Sequence, residues 1–151
     1  MSEPAGPSSS QPSKGGAPSA PATNTGPGRA LVAVYAVFAV GATSRAVFQI
    51  ATKFDEARVP YLLSAFAAVV YIVATVALAR PGRISFRVAL VAIGIELAGV
   101  LTIGAVTAFG VVDFPDDTVW SWFGRGYLFI PLVLPVLGLW WLRRTGRPQA
   151  R

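Results

Sequence analysis

The chain has 151 residues, of which 54% are hydrophobic and only 13% charged, with a net charge of +6. A soluble domain is usually about a quarter charged, so this composition points to a membrane protein. With neither cysteine nor histidine in the chain, disulfides, thiolate nucleophiles, Cys/His metal sites and histidine-ligated haem are excluded, and so is the commonest general base. The basic residues sit mostly beside apolar segments, a pattern of membrane topology and not of nucleic-acid binding.

Residues 1–28 are almost wholly Pro, Gly, Ser, Ala, Thr and Gln, with Glu3 and Lys14 the only charges. Too little apolar surface is present to offset the entropy of ordering, so a disordered, uncleaved tail is expected. A first span is expected over 29–51, carrying Arg45 within it and a small-residue face at Gly41 and Ser44. A short charged turn follows, and Pro60 is placed to open a second span over 60–79, which has no charge. Arg80-Pro81-Gly82-Arg83 ends that span, and the short loop makes the next helix an antiparallel neighbour.

The third span, 87–110, is an apolar stretch long enough to cross a bilayer, with one carboxylate, Glu96, near its middle. A titratable group at that depth is costly and is therefore a functional-site hypothesis. Gly94 and Ala98 form a small-xxx-small pair on the same helix. The connection from 111 to 126, VVDFPDDTVWSWFGRG, resembles a helix start at Pro115-Asp116-Asp117-Thr118 followed by interfacial aromatics. A short helix lying on the outer membrane surface is expected there, with Trp120, Trp122 and Tyr127 as anchors. The fourth span, 127–142, holds Pro131 and Pro135 one turn apart, which predicts kinks, and leaves the membrane at Trp140 and Trp141. A basic tail, 145–151, closes the chain.

The predicted fold is thus all-α: a four-helix transmembrane bundle over 29–144 with a short outer interfacial helix and a disordered amino-terminal tail. In this topology one side carries Lys14, Arg29, Arg80, Arg83, Arg87, Arg143, Arg144, Arg147 and Arg151, and the other Lys53, Arg58 and Arg125. The positive-inside rule then puts both termini in the cytoplasm of a multi-pass cell-membrane protein.

Glu96 and Arg45 are the ionisable residues inside the spans, and three readings stay open for them. They form a buried pair joining the first and third helices. Alternatively, Arg45 snorkels outward and Glu96 bonds locally to a hydroxyl, with Ser44, Ser64, Tyr71 and Thr75 as candidates. The third reading makes Glu96 a proton-coupled site. Asp113, Asp116 and Asp117 lack the Gly spacing and closing Glu of a cation loop, and helix capping accounts for two of them. No cofactor, metal site or catalytic constellation is indicated.

At FDEARVPYLLSAFAAVVY and FPDDTVWSWFGRGYLFIPLVLPVLGLWWL, the chain resembles a group of small actinobacterial conserved integral membrane proteins, over about residues 30–144. The resemblance implies four helices in an actinobacterial cell membrane, and it implies no activity. Small multidrug transporters also combine four helices with one intramembrane Glu, but theirs lies in the first helix, whereas Glu96 is in the third. The leading functional expectation is a non-catalytic accessory or scaffold protein of the cell envelope, partnered by the bilayer and by another membrane protein or itself, without nucleic acid. The alternative is a small oligomeric proton-coupled transporter or channel using Glu96.

Overall fold

The computed structural model describes residues 26–146, which are helical without a strand. The expected disordered tail therefore lies outside the described residues up to residue 25, and so does the basic tail from 147. Gly26, Pro27 and Gly28, expected in the tail, form the first turn of the first helix, where a proline needs no N–H partner.

Four α-helices follow in order: α1, Gly26–Lys53; α2, Arg58–Ala79; α3, Arg83–Ala108; and α4, Ile130–Thr145. At 1.5 Å per residue α1, α2 and α3 are about 42, 33 and 39 Å long, enough to cross a hydrocarbon core of about 30 Å. All three are also apolar enough to do so. Their connections are short, so α2 runs antiparallel to both neighbours and α1 and α3 run parallel. One end of the molecule then carries Arg29, Arg80, Arg83, Arg87, Arg143 and Arg144, and the other Asp55, Glu56, Asp113, Asp116 and Asp117. These are called the basic and acidic ends below.

The packing follows from residue size. α1 packs on α2, α2 on α3 and α3 on α4. The buried faces of α1 and α2 are largely alanine (Ala39, Ala42 and Ala46; Ala67, Ala68 and Ala74), which lets two backbones approach closely. Large side chains cluster where α1, α2 and α3 meet, with Tyr35, Tyr71, Ile93 and Val100 fully enclosed. The outer surface is apolar too: Val37, Val40, Phe48, Phe66, Val69 and Leu101 all face outward. Apolar residues on every side, the outward one included, are compatible with helices that lie in a membrane.

The fourth segment departs most from expectation. α4 has 16 residues, about 24 Å, and is too short to cross alone. A 3₁₀ segment, η1 (Ser121–Tyr127), precedes it at an angle of 99°, and only the two together are long enough to make a fourth span. The bend therefore lies before both prolines. Pro131 sits in the first turn of α4, where its missing N–H costs no helical bond, so it starts the helix without kinking it. Pro135 stands inside α4, which continues through it to Thr145.

Candidate functional site

The site is built on α3. Glu96 is 13 residues from Arg83 and 12 from Ala108, so it sits about 20 and 18 Å from the two ends of the helix. It is fully buried. The Tyr35 hydroxyl on α1 donates to Glu96 Oε2 at 2.7 Å. Tyr71 of α2, its ring 6.3 Å from that of Tyr35, borders the same carboxyl group. Glu96 Oε1 has no hydrogen-bond partner among the described residues. Across the site, α4 approaches through Gly138: a Cβ there would lie 3.3 Å from the Tyr35 hydroxyl and 3.0 Å from Ile93. Three helices thus supply the polar groups, and the fourth closes over them.

Above Glu96, toward the acidic end, the cover comes from the connection 109–129. Thr118 Oγ1 accepts the backbone N–H groups of Trp120 and Ser121, each at 3.1 Å, while Ser121 Oγ accepts the N–H of Thr118 at 2.9 Å. This reciprocal bonding turns the chain inward and sends the Trp120 ring between the helices, where it is 2% exposed. The ring rests on Gly99, one turn above Glu96; a Cβ at Gly99 would lie 2.6 Å from it. Trp120 Nε1 donates to the Tyr71 hydroxyl over a long 3.4 Å. About two turns higher on α3, Thr107 Oγ1 accepts the N–H of Trp122 at 2.8 Å. The connection is therefore inserted into the acidic half of the molecule.

The insertion demands unusual backbone. Trp122, Phe123, Gly124, Leu128 and Phe129 all have φ between 52° and 77°. For non-glycine residues this region costs on the order of 1–3 kcal/mol each, which the packing of the loop must offset. Gly124 also meets Pro131, whose ring would be 2.8 Å from a Cβ at that position. In place of the expected surface helix over 111–126 there is an irregular entry of bends and turns followed by the distorted 3₁₀ segment η1. Asp116 and Asp117 cap no helix there; Asp116 Oδ1 instead accepts the N–H of Asp117 at 2.9 Å.

Arg45 holds this loop. Its Nη1 donates to the Tyr127 hydroxyl at 2.9 Å and its Nη2 to the Asp117 carbonyl at 2.8 Å, with Asp116 Oδ1 4.0 Å away. Gln49, one turn further along α1 and itself buried, donates to Asp116 Oδ2 at 3.2 Å.

The proposed Arg45–Glu96 pair is therefore not formed. Arg45 lies ten residues, about 15 Å, beyond Tyr35 along α1, and nearer acceptors surround it. Of the hydroxyls expected on Glu96, only Tyr71 is close. Ser44 faces outward, Ser64 is buried without a partner, and Thr75 bonds the Tyr71 carbonyl. Tyr35 was missed, although counting turns along α1 brings it near the depth of Glu96. Among the expected interfacial anchors, Trp122 and Trp140 are exposed, Arg144 lies 4.1 Å over the Trp140 ring, and Trp141 and Tyr127 are half-buried. Trp120 is not interfacial, because the Thr118–Ser121 turn directs it inward onto Gly99. Asp113, Asp116 and Asp117 do not converge: among the described residues no group of three acidic side chains could hold a metal ion.

A scan against protein-family models finds no match, and searches of curated proteins and of solved structures find none either.

Proposed function

We propose that the chain is a non-catalytic integral membrane protein of the cell envelope that acts by lateral association, with another membrane protein or with itself. The observation that carries this reading is the division of roles among its polar and small residues. Glu96 is engaged by Tyr35 inside a packed core and covered by Trp120, which suits a group that holds helices together. Gly41 on α1 and Gly94 on α3 have open space beside them, so among the described residues no helix uses those close-approach positions. The concentration of arginines at the basic end supports a multi-pass topology with both termini cytoplasmic. The resemblance over about 30–144 supports an actinobacterial cell membrane as the setting.

Affinity purification of tagged protein from native membranes tests the reading. Wild type and Glu96→Gln should retain the same stoichiometric partner, or the same self-association. Gly41→Leu and Gly94→Leu, whose side chains project into open space, should lose it while keeping the fold. Retention of the complex by both leucine variants would remove the basis for association through these faces.

A second reading, a small oligomeric proton-coupled transporter or channel using Glu96, is favoured by one observation: Oε1 is buried without a partner. It predicts proton flux in liposomes that Glu96→Gln abolishes. An unchanged flux in that variant ends this reading.

A further inference from the structure

At the basic end all four helices line a cavity of about 500 Å³, within the range of small-molecule sites. It lies well below Glu96. Its deepest α3 residue is Ala89, two turns toward the basic end, so the cavity is separate from the carboxyl site. The walls are apolar and aromatic: Leu31 from α1, Phe86 and Ala89 from α3, Trp141 and Leu142 from α4. The rim is cationic. Arg29 and Arg80 border it, both exposed and neither in an ion pair among the described residues. Every acidic residue of the described chain apart from buried Glu96 lies at the opposite end. Gly82, also on the rim, precedes α3 and offers no side-chain cap, leaving the first N–H groups of that helix without a side-chain acceptor.

The geometry points to a binding site for an anionic phospholipid, with its phosphate at Arg29 and Arg80 and one acyl chain against Leu31, Phe86 and Leu142. Each half of the cavity excludes a different competitor. A free phosphate satisfies the arginines but leaves the apolar walls wet, and a zwitterionic lipid fills the walls but brings its own cation to the rim. An anionic lipid satisfies both. Basic pockets between helices at a membrane face recognise headgroups in the same way, at about 1 kcal/mol for each Lys or Arg near the surface.

The test uses the full-length chain in detergent, titrated with phosphatidylglycerol or with phosphatidylcholine of the same acyl chains and followed by native mass spectrometry. Phosphatidylglycerol should bind at least about tenfold tighter. The exposed double variant Arg29→Gln/Arg80→Gln should lose roughly thirty-fold of that affinity and leave phosphatidylcholine unchanged. Millimolar inorganic phosphate should not displace the lipid. A photo-crosslinking phenylalanine analogue in place of Phe86 should capture the lipid as a mass adduct. Equal binding of the two lipids, indifference to the double variant, displacement by phosphate, or capture of residues 1–25 of the same chain instead of lipid would each overturn the site.

Discussion

At the scale of single residues, the Glu96–Tyr35 bond is the most exacting feature, because both groups are fully buried. A buried acceptor that loses its donor costs about 1–3 kcal/mol, whereas removing both partners together costs far less. Tyr35→Phe should therefore destabilise the protein by about 1–3 kcal/mol in reversible unfolding from mixed micelles. Glu96→Gln should be nearly neutral, since an amide oxygen still accepts from Tyr35. Adding Glu96→Leu to Tyr35→Phe should recover part of the loss. An additive double mutant would show that the two side chains are not coupled. Glu96 itself was legible from the sequence, because a lone carboxylate in an apolar run stands out. Its partner was not, because a tyrosine within a span is unremarkable, and counting turns gives its depth but not which face of α1 meets α3.

At the scale of elements, the 109–129 connection decides how the acidic half of the molecule is built. Three of its contacts reach the helices at different heights: Arg45 on α1, Thr107 on α3, and Gly99 under Trp120. Arg45 is the clasp most open to solvent, its side chain 32% exposed. Arg45→Gln removes the bonds to Tyr127 and to the Asp117 carbonyl, so hydrogen exchange over 111–129 should accelerate while α1–α3 stay protected. Unchanged exchange in the loop would mean that packing alone holds it. Gly99→Ala places a methyl where the Trp120 ring now lies, and overpacking of that kind costs about 1–3 kcal/mol. Expelled from the core, Trp120 should become accessible to acrylamide, read in a background with Trp122, Trp140 and Trp141 replaced by Phe. The helical runs of this protein were legible because length and hydropathy report directly on lipid contact. The inserted loop was not: aromatic residues beside acids suit an interface as well as a core, and only the reciprocal Thr118–Ser121 bonding decides between them. The same limit applied to Pro131, whose effect depends on where α4 begins.

At the scale of the whole molecule, the open relation is between the short fourth helix and the bilayer. α1, α2 and α3 exceed the hydrocarbon thickness, while α4, at about 24 Å, reaches across only with η1. Length and composition alone allow two arrangements: a broken span that crosses, or a re-entrant segment that returns to the side it came from. Charge separates them. Arg143 and Arg144 end α4, and Arg83 and Arg87 begin α3, so a crossing α4 gathers all four arginines on one side, with Asp55, Glu56, Asp113, Asp116 and Asp117 opposite. A re-entrant α4 would put Arg143 and Arg144 on the same side as those acids, against the charge asymmetry that orients membrane helices. Because the chain has no cysteine, single exposed cysteines can report topology without background. Arg83→Cys and Arg144→Cys should react with an impermeant maleimide from one side of sealed vesicles, and Asp55→Cys and Asp113→Cys only from the other. If Arg144→Cys reacts together with Asp113→Cys, α4 returns instead of crossing. The walls that Trp141 and Leu142 give to the basic-end cavity would then stand on the opposite face from Arg29 and Arg80, so the same labelling also tests whether that cavity exists in the membrane.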